Sequence, residues 1–249
     1  MRAFPHEFSD MLTPAGLRIL KGETENSLFL NGKRYFAIFD RMVDKRKADD
    51  AVKLMDTHLY PHLAVEQRRI PPESITGMKE NYEEVLNKTM HIKTAFFRRS
   101  SARSYQAAEK IGLLRMMRSS TFTDFAEAVT GLKLDRDLNL QVSCYEHGDY
   151  VGPHNDHHPE SKVARNGFVD LHIMFSNDAV KSQWLVYENR GFLSSSHEVG
   201  TTSGIAVYRL PFWHYTTPLV GKPGREGEAR RWLLLGSFDF DPPLKKLQY

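Results

Sequence analysis

The segment YEHGDYVGPHNDHH, residues 145–158, holds the densest set of metal-binding side-chain types in the chain. His154 and Asp156 are separated by one residue. In an extended segment that spacing turns both side chains to one face, where they can reach a single ion. A further histidine, His214, lies far downstream in LPFWHYTTPL, just after a predicted strand. Two imidazoles and one carboxylate on one face of an octahedral cation leave its remaining positions open to small molecules. Taken singly, an H-x-D triplet is a common accident, and a histidine between Trp213 and Tyr215 is more often packed than ligating. The weight rests on their order: strand, Gly-rich turn, H-x-D, several strands, His, and then a strand opened by arginine.

Cys144 is the only cysteine, so an intrachain disulfide and a thiolate-built zinc or iron–sulfur site are both excluded. A metal here must be held by imidazole and carboxylate, and 11 histidines make that feasible. This donor set with open positions is the facial arrangement of non-haem Fe(II) oxygenases, which need room for a cosubstrate and O₂. Residues 230–238, RRWLLLGSF, are apolar on both faces yet begin with two arginines. A buried guanidinium needs an anion, and its planar fork suits the carboxylate of a dicarboxylate cosubstrate. One of the two, Arg230 or Arg231, is expected to take that role and the other to sit at the strand's exposed mouth; a slip of one residue exchanges their faces.

These side chains must be positioned by two differently patterned halves. The first, 1–135, is helix-rich, with a hairpin signal at Asn31-Gly32 inside LFLNGKRYFAIF. Helical spacing is expected over 47–60, stopped by Pro61, and again over Ser104 to Met117. A further helix capped by Ser120 or Thr121 runs through Val129 and ends at Gly131. From Leu138 the period becomes two. Leu138, Leu140, Val142 and Cys144 share one strand face, and Asn139, Gln141, Ser143 and Tyr145 the other. Further strands are predicted at 168–175, 184–188, 204–209 and 231–238, the pattern of an antiparallel sandwich or jelly roll. The junction near 132–137 has no linker composition, so the helices should pack on the β core.

The stretch 138–238 resembles the 2-oxoglutarate/Fe(II) dioxygenases, in particular their prolyl-hydroxylase-like branch. The matching pieces are CYEHGDYVGPHND at 144–156, the later His214, and Arg231 followed by Trp232 and aliphatics. The resemblance implies an α+β fold with a double-stranded β-helix (jelly-roll) core and N-terminal supporting helices. It implies a single oxygenase domain over 1–249, of which 136–249 form the jelly roll. His154, Asp156 and His214 would bind Fe(II), Arg231 would grip the far carboxylate of 2-oxoglutarate, and Tyr145 would sit beside that cosubstrate. With O₂ the implied reaction is hydroxylation of an unactivated C–H bond, in an amino acid or a peptidyl side chain, with succinate and CO₂ as coproducts. Members that halogenate lack the carboxylate that Asp156 supplies. Two departures stand out: Phe175 occupies the place where relatives offer a tyrosine hydroxyl, and the loop GKPGREGEA at 221–229 lengthens the path from His214 to Arg231.

A competing reading is a cupin-like metalloprotein without 2-oxoglutarate chemistry, for which Glu160 is a poor candidate ligand; another is a non-catalytic β-sandwich. His157 and His158 point apart and are expected outside the ligand set, while His147 and His172 read as surface or packing residues and His197 as part of a polar loop. FFRRSSAR at 96–103 reads as a solvated loop, and Asp178 to Ser196 as a long hairpin or a substrate lid. A formal net charge of +3 gives no ground for a nucleic-acid partner. No apolar stretch reaches the length of a membrane span, and the N-terminus lacks a signal-peptide pattern, so a cytoplasmic home is expected. The partner is then a small molecule or a peptide.

Overall fold

The computed structural model describes residues 2–23, 35–70, 89–158, 160–189, 192–243 and 245. The hairpin turn expected at Asn31-Gly32 lies outside them. Helices form where apolar residues recur every three or four positions: α1 (Pro14–Leu20), α2 (Lys45–His58), α3 (Arg103–Lys110), α4 (Leu113–Met117) and α5 (Ser120–Thr130). Thr13 caps α1 and Asp44 caps α2, each side chain accepting a backbone N–H in the first turn. The single helix expected over Ser104 to Met117 is instead two. Gly112 adopts φ 77°, a left-handed conformation that ends α3, and a Cβ there would stand 3.2 Å from the Phe4 carbonyl. α5 follows Ser119 rather than being capped by Ser120 or Thr121, and it ends as expected at Gly131, φ 67°.

The strands are β1 (Phe36–Phe39), β2 (Ala64–Arg69), β3 (Thr89–Phe96), β4 (Asn139–Tyr145), β5 (Tyr150–Val151), β6 (Phe168–Ser176), β7 (Val180–Ser182), β8 (Trp184–Asn189), β9 (Phe192–Glu198), β10 (Ile205–Leu210), β11 (His214–Thr216), β12 (Val220–Gly221) and β13 (Arg231–Phe238). A large sheet runs β1-β10-β6-β13-β4-β3-β2, with β5 also pairing β3, and a smaller one runs β11-β8-β9. All the pairings are antiparallel, and the fold is a jelly roll with helices on its outer side. The expected strands at 168–175, 184–188, 204–209 and 231–238 are present as β6, β8, β10 and β13. Asp178 to Ser196 is occupied by β7, β8 and part of β9, so it is sheet rather than a lid. His197 also lies in β9, not in a loop.

Period-two patterning sorts the large sheet's faces. Leu140, Val142, Cys144, Leu171, Phe175, Trp232 and Leu234 join the helices in one buried apolar cluster. The Trp232 indole N–H also donates to Asp56 of α2 at 2.8 Å. The alternate residues face inward, toward the smaller sheet, and there the sheet is partly polar. Phe175 lies on the helix-facing side, in register with Trp232, and so is absent from the cavity.

Candidate metal centre

His154 and His214 are brought together by an isolated antiparallel bridge in which each backbone N–H donates to the other's carbonyl, at 3.0 and 2.9 Å. The two rings lie 4.3 Å apart between centroids. In each ring Nδ1 is held by the carbonyl two residues earlier: Gly152 at 2.7 Å for His154 and Phe212 at 3.0 Å for His214. A carbonyl only accepts, so each Nδ1 carries the proton, and each Nε2 presents a lone pair. This is the orientation by a partner outside the ligand set that metal-binding histidines use.

Asp156 completes the group by a route the sequence argument did not anticipate. The residue is not extended; its φ is 52°, left-handed, a conformation that Asp tolerates better than most side chains. The turn brings its Oδ2 to 3.4 Å from His154 Nε2 and 3.5 Å from His214 Nε2. One donor atom from each of the three residues lies within 4.8 Å of the others. Cis donors about 2.1 Å from a shared ion stand ~3 Å apart, so the set fits one divalent cation with little adjustment. The donors are two neutral nitrogens and one anionic oxygen, borderline-hard and open on one side, as non-haem iron requires.

Electrostatics treats the two imidazoles differently: against the effect of burial, the Asp156 carboxylate raises His154, whereas His214 is lowered. Burial, aided by the neighbouring His154, pushes the His214 imidazole down to about 3, so it stays neutral. Burial opposes ionisation of Asp156, but the adjacent His154 and His214 outweigh it and hold the carboxyl well below the usual range. His154 and His214 are only 9% and 5% exposed, so water does not compete freely for the site.

A cavity of about 370 Å³ opens from this centre and extends between the sheets. Arg231 lines it and is 3% exposed. Its Nε donates to the Val199 carbonyl at 2.9 Å and its Nη1 to Gln183 Oε1 at 3.2 Å, while its guanidinium lies 5.1 Å above the Tyr145 ring. Gln183 is in turn fixed by donating Nε2 to the carbonyls of Asp149 and Thr217, at 3.3 and 3.0 Å. Arg230 points to the other face, over the Tyr60 ring at 4.5 Å and 3.2 Å from a Glu146 oxygen. Register thus separates the two arginines that the sequence left as alternatives. Burial raises the Tyr145 phenol despite the opposing Arg231, and raises Tyr208 more strongly, so both stay protonated donors in the cavity. Tyr208 and Gln183 were not singled out from sequence; only the pairing of β10 with β6 and the packing of Arg231 give them these places.

Among the described residues, the other candidates do not join the metal group. His157 meets the Arg165 carbonyl at 3.4 Å, and His158 pairs with Glu160 at 3.1 Å. That exposed Glu160 does not join the metal group, which removes the carboxylate the cupin-like reading needed. His147 accepts the Gly221 N–H at 3.1 Å. His172, expected at the surface or in packing, lines the cavity instead.

No family model and no curated protein matches the sequence. Solved structures do. A prolyl-4-hydroxylase from Pseudomonas putida is similar at a TM-score of 0.50 and 11% identity, over 86% of this chain and 98% of that one. A prolyl hydroxylase from Trichoplax adhaerens, in complex with a hypoxia inducible factor peptide fragment, gives 0.52 and 12%, over 90% and 93%. A 2OG-Fe(II) oxygenase family oxidoreductase from Burkholderia pseudomallei gives 0.53 and 10%, over 96% and 93%. At these identities the likeness defines the fold: the chain has the jelly-roll architecture of the 2-oxoglutarate/Fe(II) oxygenases.

Proposed function

We propose that this chain is an Fe(II)- and 2-oxoglutarate-dependent dioxygenase that hydroxylates an unactivated C–H bond of an amino acid, free or within a peptide. The observation that carries the reading is the convergence of His154, Asp156 and His214 in one cavity with the buried, inward-facing Arg231. The Trichoplax adhaerens enzyme, whose structure holds a peptide fragment, supports a peptide as one form of substrate.

His154 and His214 would hold the iron through Nε2 and Asp156 through a carboxylate oxygen. Bound there, iron and 2-oxoglutarate supply O₂-dependent oxidation of a C–H bond, with succinate and CO₂ as coproducts. The chain's own work is positioning. Arg231, oriented by Gln183 and the Val199 carbonyl, pairs with the far carboxylate of the cosubstrate, and its fixed plane favours two parallel hydrogen bonds. Tyr145 packs against the guanidinium and offers a protonated phenol beside it. Leu185, Val199 and Leu233 line the same cavity and exclude water from it.

Succinate formation from labelled 2-oxoglutarate under Fe(II) and O₂ tests the reading. Wild-type protein should produce succinate and His154→Ala should not. Metal-loaded protein that neither binds 2-oxoglutarate nor forms succinate would overturn it.

A further inference from the structure

The cavity has a second polar corner that neither the iron ligands nor Arg231 uses. Asp170 and His172, on β6, are 5% and 8% exposed and line the cavity. Asp170 Oδ1 and His172 Nε2 are both buried without a hydrogen-bond partner among the described residues. His172 Nε2 lies 3.7 Å from Asp170 Oδ2, an electrostatic contact too long to be a hydrogen bond. Asp149 makes the contrast. It is equally buried, at 3% exposed, but it accepts the Glu146 N–H at 2.8 Å and meets His91 Nδ1 at 2.5 Å. A buried group left with an unmade bond is destabilising, more so when it is charged. Asp170 and His172 therefore have hydrogen-bonding capacity in reserve in the wall of the cavity.

Register says which molecule can use it. In the pairing of β6 with β13, Arg231 lies opposite Ser176 and Asp170 opposite Ser237, at the two ends of the ladder. That separation is roughly 20 Å along the strand, beyond the reach of a five-carbon diacid anchored at Arg231. The corner nevertheless stays close to the metal site: the His172 ring lies 4.2 Å from the Tyr208 ring, which lies 5.4 Å from that of His214. A molecule seated on Asp170 and His172 would thus lie beside the iron ligands without displacing the cosubstrate.

We propose that this pair is the recognition site for a protonated amine on the molecule to be oxidised, an inference that rests on the oxygenase reading for the reaction but not for the binding. An ammonium offers several N–H donors, enough to satisfy Asp170 Oδ1 and His172 Nε2 together, and its charge compensates the buried carboxylate. A hydroxyl has one proton to give and no charge. Burial pushes the Asp170 carboxyl up against the opposing effects of His172 and Ser237, and a cation against it would favour the ionised form.

The test is calorimetric titration of Mn(II)- and 2-oxoglutarate-loaded protein, which binds without turning over. The probes are the common L-amino acids and cadaverine, each paired with the analogue in which hydroxyl replaces ammonium. An amine should bind about 10–100-fold more tightly than its hydroxyl analogue, the range expected for a charge-assisted hydrogen bond. Asp170→Asn should remove most of that preference while leaving 2-oxoglutarate affinity unchanged. Equal binding of amine and hydroxyl analogue, binding of no amine, or full amine affinity in Asp170→Asn would overturn the proposal. Should Asp170→Asn fail to fold, the paired analogues on wild-type protein decide alone. Failure of 2-oxoglutarate to bind would defeat the oxygenase reading instead, and the amine titration would still judge this corner.

Discussion

The two faces of the large sheet are built from alternate residues of the same strands, yet they answer to different physics. On the outer face, Trp232, Leu234, Val142 and Leu171 pack against the helices, where volume and shape decide what is tolerated. On the inner face, Arg231, Tyr145, Asp170 and His172 line the cavity, where hydrogen-bonding capacity and charge decide. One residue's shift along β13 separates Arg231, buried among cavity groups, from Arg230, half-covered beside Tyr60 and Glu146. The outer face therefore fixes the fold and the inner face the chemistry, and substitutions should separate the two.

The largest effect is expected on the outer face. Trp232→Ala, which empties a fully buried site, should cost about 3–5 kcal/mol in denaturant unfolding while the folded fraction keeps its metal stoichiometry. On the inner face, His154→Ala should weaken Fe(II) binding by about 100-fold or more, measured by equilibrium dialysis, with little change in the stability of the metal-free protein. Arg231→Gln should raise the dissociation constant for 2-oxoglutarate by roughly 10–100-fold and leave iron binding intact. Gly236→Ala returns to the outer face. Its new Cβ would meet Phe122 Cε1 at 2.5 Å, so unfolding should become easier by about 1–3 kcal/mol with ligand affinities unchanged. Arg230→Gln should be the mildest, below ~1 kcal/mol in stability and without effect on 2-oxoglutarate, because its ion pair is partly exposed. Equal effects of the Arg230 and Arg231 substitutions on cosubstrate binding would break the distinction between the faces.

Much of this arrangement was legible in the sequence because it is periodic or local. The alternation from Leu138 to Tyr145 separates core from cavity, and the H-x-D triplet with its distant histidine identifies residues that do converge. What escaped was created by contacts between distant segments. The β2 stretch AVEQRR has no apolar alternation, since it lies at the sheet edge and is held by pairing with β3 rather than by burial. The break at Gly112 is invisible to a count of apolar spacing, because the helical pattern continues across it. Asp156 reaches its partners through a left-handed turn, not through the extended geometry that the one-residue spacing suggested. The family resemblance put Phe175 where relatives offer a tyrosine hydroxyl, but pleat parity turns it to the helices. Gln183, Tyr208 and His172 carry no motif at all; cross-strand register brings Tyr208 and His172 to the cavity, and the hydrogen bond from Arg231 gives Gln183 its role.

The central claim is most directly tested by a crystal structure grown with Mn(II) and 2-oxoglutarate. The account predicts one ion on Nε2 of His154, Nε2 of His214 and the Asp156 carboxylate, with the far carboxylate of 2-oxoglutarate on Arg231. An ion bound elsewhere, or a cosubstrate carboxylate resting on Arg230, would contradict it.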